Sequence, residues 1–110
     1  MVEHSSPLDR VFSAVADPTR RAILARLEVG VETVTELAGR FPMSLNAVSK
    51  HVKVLESAGL VRREVVGREH RLSLQAAPLR DAEEWLGRYR RFWTSRLDAL
   101  EKMLRARKPN

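Results

Sequence analysis

Cysteine is absent from this sequence. Disulfides, a thiolate metal site and a thiol nucleophile are thereby excluded. Glycine is scarce, with five residues at positions 30, 39, 59, 67 and 87, too scattered to form a phosphate-cradling loop. They read as helix stops and one turn. Neither a Gly-x-Ser-x-Gly elbow nor a His-Glu-x-x-His pair occurs, so the chain is not expected to be an enzyme or to need a cofactor. There is no run of 18 apolar residues and no secretory h-region, which predicts a cytoplasmic protein that does not enter a membrane.

The 110 residues are 31% charged and 44% hydrophobic, the balance of one soluble globular domain with a modest core. A net charge of +6 points to a polyanionic partner. Charge alone does not separate nucleic acid from a membrane surface. In the last third, however, Arg80, Asp81, Glu83, Glu84 and Arg88 mix both signs, which suits a solvated helix better than an anionic bilayer.

Apolar periodicity predicts mainly helical structure. Leu8, Val11, Phe12 and Val15 fall at i, i+3, i+4 and i+7 and give a first helix one apolar stripe. Asp17-Pro18 reads as an N-cap followed by proline at the first helical position. The second helix should turn Ala22, Ile23 and Leu27 inward and end near Gly30. Thr33 with Glu36 is a capping-box signature, and Val34, Leu37, Ala38 and Phe41 predict a short third helix ended by Pro42. Ser44 then caps a fourth helix over residues 44–58, stopped by Gly59. So short a connection forces a steep crossing, which is a helix-turn-helix.

On the fourth helix Val48, Val52 and Leu55 cluster on one side, while Asn46, Lys50 and Lys53 project opposite and Ser49 and His51 flank. Asn can pair with adenine, Lys can donate to guanine, and Ser can serve base or backbone. Ser44 can cap the helix and also bind a phosphate at its N-terminus. A polar face of this kind is by itself equally consistent with plain solvation, and a boundary histidine such as His51 is as often a packing residue as a contact. The next element favours DNA: residues 60–74 form a hairpin with a turn at Gly67-Arg68, the wing of a winged helix-turn-helix. Alternation turns Val61, Val65, Leu72 and Leu74 inward and leaves Arg62, Arg68 and Arg71 to meet phosphate or minor groove. The competing role for those arginines is a charged edge that discourages aggregation. Arg20 and Arg21 open the second helix, where arginines either hold a DNA backbone or make intrachain pairs.

From Pro78 to about Arg105 the only breaker is Gly87. Leu79, Leu86, Trp93 and Leu100 lie seven apart, Ala82, Tyr89, Arg96 and Met103 likewise, and Leu97 and Leu104 widen the seam. The helix would extend roughly 40 Å at 1.5 Å per residue, too long to bury its stripe against so small a domain. A second copy of the chain is the simplest cover, with Leu8, Val11, Phe12, Leu79, Leu86, Tyr89, Trp93, Leu97, Leu100 and Leu104 as dimerisation residues. Gly87 costs about 1 kcal/mol against alanine, so it implies a kink or a close approach by a partner. The organisation expected is one winged helix-turn-helix domain: a DNA-binding core over about residues 7–76, a C-terminal dimerisation helix over 77–107, and a frayed tail at 107–110.

Four segments together resemble the ArsR-type winged-helix repressors over most of the chain. They are Ala16-Asp17-Pro18-Thr19-Arg20-Arg21-Ala22-Ile23-Leu24, Val34-Thr35-Glu36-Leu37-Ala38, Ala47-Val48-Ser49-Lys50-His51-Val52-Lys53-Val54-Leu55 and Ala58-Gly59-Leu60-Val61. The resemblance implies a homodimer joined through its terminal helices, repressing transcription from a palindromic operator in double-stranded DNA. It implies that Ser44, Asn46, Ser49, Lys50, His51 and Lys53 lie at DNA. Many relatives sense metals through cysteines in the third helix, where this chain has Glu36-Leu37-Ala38-Gly39, or through Asp, His and Glu on the last helix. Here that helix has no histidine, and His4, His51 and His70 share no helical spacing. Imidazole or thiolate clusters select zinc or softer ions, so no metal site is expected. The Tyr89-Arg90-Arg91-Phe92-Trp93 run is similar to the metal-independent branch, whose inducer would be an unidentified small molecule or protein. The alternative is a helical interaction module that has lost DNA binding and docks a protein through its exposed aromatics.

Overall fold

The computed structural model describes residues 6–107. His4 and the tail residues 108–110 lie outside the described residues. Five helices and three strands follow in the order α1 (Pro7–Val15), α2 (Pro18–Val29), β1 (Glu32–Thr33), α3 (Val34–Ala38), α4 (Leu45–Ser57), β2 (Val61–Val66), β3 (Glu69–Leu74) and α5 (Ala77–Arg107). This is a mainly helical winged helix-turn-helix with a small antiparallel sheet and a long C-terminal helix.

Local chemistry sets most boundaries. The Asp17 carboxylate accepts the Arg20 backbone N–H at 3.0 Å and opens α2. The Thr33–Glu36 box forms in both directions, at 3.1 and 3.0 Å. Ser44 Oγ accepts the Ala47 N–H at 3.1 Å and starts α4. At the other end of α4 the backbone N–H of Leu60 reaches the Leu55 carbonyl and that of Gly59 the Glu56 carbonyl, at 3.0 and 2.9 Å. These are the paired bonds of a Schellman stop, and they need a left-handed residue, which Gly59 supplies with φ of +75°. Leu55 and Leu60 are both buried, so the motif also turns the chain back under the core.

That core is formed by Val11 and Ala14 of α1, Ile23, Leu24 and Leu27 of α2, Leu37 of α3, Val48, Val52 and Leu55 of α4, Leu60, Val61 and Leu72 around the sheet, and Ala58 and Ala82 at its margin. Ala22, expected to face inward, is exposed, and Leu24 takes the inward place instead. The inward face of α2 is centred between Ile23 and Leu27, and Ala22 lies one residue, about 100°, off its edge. The third helix is shorter than expected. It ends at Ala38, and Arg40 and Phe41 continue with tight i to i+3 bonds to Leu37 and Ala38. Phe41 still packs on the core from that irregular turn.

The sheet runs β1-β3-β2, all antiparallel, with Val61 opposite Leu74, Arg63 opposite Leu72 and Val65 opposite His70. The hairpin turns at Gly67, where φ is +63°, and Arg68, the next residue, keeps negative φ. Positive φ at the first central position alone is the demand of a type II′ turn. Val65, expected inward, is 58% exposed. It does share a face with Val61, but core support stops at the Arg63–Leu72 pair and the hairpin continues into solvent. β1 is too short to show in the sequence pattern; it pairs Glu32 with Leu72 and Thr33 with Arg71.

α5 continues unbroken through Gly87, and only Ala82 along it is buried. Its first turns lie on α1, and from Glu83 to Arg107 every residue but Gly87 is exposed. The molecule is accordingly elongated, 73 × 31 × 25 Å. No helix among the described residues is long and apolar enough to cross a membrane.

Candidate nucleic-acid interface

α4 is the element around which the candidate nucleic-acid face is built. With Val48, Val52 and Leu55 fully buried, Asn46, Lys50 and Lys53 stand exposed on the opposite side. Ser44 is exposed at the helix start, its hydroxyl oxygen used by the cap and its hydrogen free to donate. Ser49 and His51 are half-buried on the two flanks. Leu45 and Val54 are also exposed on this helix, two apolar groups among the polar ones.

The wing is fastened to α4 by Arg63, a residue that strand and helix periodicity do not single out. Arg63 of β2 forms a fork on Glu56 of α4, Nε to Oε2 at 3.2 Å and Nη2 to Oε1 at 2.7 Å, and its Nη1 meets His70 Nδ1 at 2.9 Å. The fork adds geometric definition as well as charge, and it sets the hairpin's position relative to the helix. The two residues lie seven apart across the Schellman stop, so no single-element periodicity links them. Arg62 and Arg68 are exposed on the wing thus fixed. Arg71 is exposed and pairs with Glu69 at 3.2 Å, an ion pair of little energetic weight.

Arg20 shows the intrachain one of its two open roles. Its Nε donates to the Ala14 carbonyl at 2.7 Å and its Nη2 to the Ser13 carbonyl at 3.0 Å, satisfying the last turn of α1. Its Nη1 lies 3.2 Å from His51 Nδ1. Arg21 does the same for Val15 and Ala16 at 2.8 and 3.0 Å. The two arginines therefore tie α1 to α2, and Arg20 also braces α4.

The Arg20 backbone N–H holds the Asp17 carboxyl below its ordinary value, against a smaller desolvation effect and with help from the Arg20 and His51 side chains. The Thr33 backbone N–H acts likewise on Glu36. A carboxyl depressed in the folded state adds stability above its unfolded pKa and loses it as pH falls through the folded one. For Asp17 the stabilisation is thus complete at neutral pH and fades below about pH 3.9, the ordinary aspartate value. Asp17→Asn keeps a good cap but removes the titration. Thermal melts of both proteins should differ at about pH 7 and converge at about pH 2; a gap independent of pH would contradict this account.

The residues expected at a dimer seam divide three ways. Leu86, Tyr89, Trp93, Leu97, Leu100 and Leu104 are all exposed along α5. Leu8, Phe12 and Leu79 are half-buried where α1 meets α5. Val11, placed at the seam on sequence grounds, is only 2% exposed and belongs to the chain's own core. It sits on the side of α1 that faces the body of the domain, so Phe12 carries the outer edge. Phe12, Trp85, Tyr89 and Trp93 form a continuous ladder with ring centroids 5.5, 5.5 and 6.1 Å apart. A groove of about 1190 Å³ runs beside it between α1, α2 and α5.

Comparison with known proteins agrees with this geometry. A model described as a helix-turn-helix domain matches residues 15–64. The HTH-type transcriptional regulator Rv2034 of Mycobacterium tuberculosis is 39% identical over 104 residues, 94% of each chain. The transcriptional repressor SdpR of Bacillus subtilis is 33% identical over 79 residues, 72% of this chain and 88% of that one. A crystal structure of the ArsR family transcriptional regulator RHA00566 superposes with a TM-score of 0.77 at 39% identity, covering 86% of this chain and 98% of the other.

Proposed function

This chain belongs to the ArsR family of winged helix-turn-helix DNA-binding transcriptional regulators, and we propose that it acts as a homodimeric repressor of a palindromic operator, without a metal effector. The observation that carries the reading is the exposed Asn46–Lys50–Lys53 edge of α4 with Arg62 and Arg68 beside it on a wing held by Arg63. A helix seats such an edge in the major groove, and the wing cations meet the flanking backbone. Ser44 and Ser49 supply further donors along the same path.

The homodimer is supported by the apolar length of α5 that the chain itself leaves uncovered, and a similar winged helix-turn-helix domain, Mb0332 of Mycobacterium bovis, is described as homodimeric. The metal-free reading is supported by the donor set. The chain has no cysteine, and among the described residues no three His, Asp or Glu side chains converge on a point that would hold an ion.

Selection of bound DNA from a random pool, with and without chelator, tests all three parts. An inverted repeat with half-sites about one helical turn apart is expected, and it should be recovered equally well in chelator. Release on chelation would overturn the metal-free reading. On the selected operator, Lys50→Ala should lower discrimination against a mismatched base by about 1–3 kcal/mol. Arg68→Ala should instead weaken operator and random DNA alike, and flatten the dependence of log affinity on log salt by about 0.9 for each phosphate that Arg68 neutralises. If both variants behave the same way, α4 and the wing do not divide the work as proposed.

A further inference from the structure

His51 sits where α4 meets the start of α2, and its side chain is 24% exposed. Its Nδ1 is 3.2 Å from Arg20 Nη1, whereas the nearest Asp17 oxygen is 3.9 Å away, beyond hydrogen-bond reach. A guanidinium has only donors and keeps its proton in proteins. A ring nitrogen at bonding distance from it must therefore accept. The hydrogen of the imidazole is then on Nε2. Arg20 cannot easily yield, because its other two nitrogens are held by the carbonyls of Ser13 and Ala14.

We propose that Arg20 is a positioning residue that locks His51 in the Nε2–H tautomer, so that His51 offers the duplex one neutral donor aimed at a phosphate oxygen. The inference rests on α4 being the DNA-reading helix. His51 lies roughly 100° or more around α4 from Asn46, Lys50 and Lys53, which turns it from base edges toward the backbone. A phosphate oxygen accepts only, so it fits an N–H and would repel a bare ring nitrogen. Such a contact has an unusual signature. It adds affinity without neutralising a phosphate, so no counterion is released on its account.

Two measurements on the full chain test this. Long-range ¹H–¹⁵N spectra of the free protein at about pH 8.5 should show Nε2 protonated and Nδ1 bare. In Arg20→Gln the ring should populate both tautomers. A protonated Nδ1 in the parent protein, or a single unchanged tautomer in Arg20→Gln, would overturn the assignment. In DNA titrations His51→Gln, whose amide N–H falls near the Nε2 position, should stay within about threefold of the parent. His51→Asn, which mimics only Nδ1, and His51→Ala should bind operator and random DNA roughly tenfold or more weakly, the loss expected for a hydrogen bond to a charged group. The salt slope of His51→Ala should equal the parent's; a decrease of about 0.9 would mean a cationic contact and refute the neutral donor. Lys50→Ala separates the two levels. If it loses discrimination while the Gln and Asn variants behave alike, only the His51 inference fails; if it too is silent, α4 is not the reading helix.

Discussion

Leu97→Glu is expected to yield a folded monomer whose operator affinity is lower by roughly a hundred- to ten-thousandfold. Leu97 is 60% exposed in the single chain, in the distal half of α5 where nothing of the same chain buries it. Glutamate is as good a helix former as leucine, so the isolated subunit should fold unchanged. In a closed seam the same substitution places a carboxylate, once from each copy, among Trp93, Leu100 and their counterparts. An unpaired charge in that setting costs several kcal/mol and should dissociate the dimer. Once the subunits separate, the second half-site is no longer bound at the high effective concentration that linkage provides, and this is where the large factor arises. Light scattering should report the monomer, and titration of an operator beside a single half-site should show the gap between them closing. A dimer of normal affinity would place the subunit contact somewhere other than α5.

The second large effect concerns stability. Glu32 is the one charged side chain in the buried set among the described residues, with 9% of its side chain accessible. Its Oε1 accepts Arg26 Nε at 3.0 Å and Arg40 Nε at 2.6 Å, while Oε2 is buried with no partner among the described residues. The two arginines are 37% and 42% exposed. The three groups are therefore not equivalent. Removing the carboxylate leaves two cations that water can reach, so Glu32→Gln should cost about 1 kcal/mol. Removing both cations strands a carboxylate in the interior, and Arg26→Ala/Arg40→Ala should cost about 3 kcal/mol, the low end for a broken buried pair because the partners were half-solvated. That is a large share of the roughly 5–15 kcal/mol typical of a whole domain. Urea unfolding of the two variants checks the ranking. The reverse order would mean that the carboxylate is hydrated in the folded protein.

Much of the polar surface of α4 is legible in the sequence. Asp17, Thr33 and Ser44 cap the helices that their spacing predicts, and Gly59 stops α4. These are contacts between residues three to five apart, and local spacing fully specifies them. The opposition of Val48, Val52 and Leu55 to Asn46, Lys50 and Lys53 follows from helical geometry alone. The differences between expectation and structure share another cause. Nothing local to β2 says how far the core extends beneath it, so alternation turns Val65 inward where the fold leaves it in solvent. Val11 and Phe12 are neighbours on one stripe, and only the seating of α1 on the domain decides which of them is covered.

The order of residues by itself determined the helices, the capped starts of α2, α3 and α4, the stop of α4 at Gly59, the hairpin and the polar edge of α4, because each depends on bonds or faces repeated within a few positions; the early end of α3 at Ala38 was not among them. Tertiary structure alone decided that Glu32 would gather Arg26 and Arg40 from either side of β1, that Arg63 would fix the wing to α4, and that Arg20 would turn inward to hold α1 and His51. Those pairings join elements whose relative placement comes from packing the core, and side-chain charge carries no record of which partner packing will bring within about 3 Å.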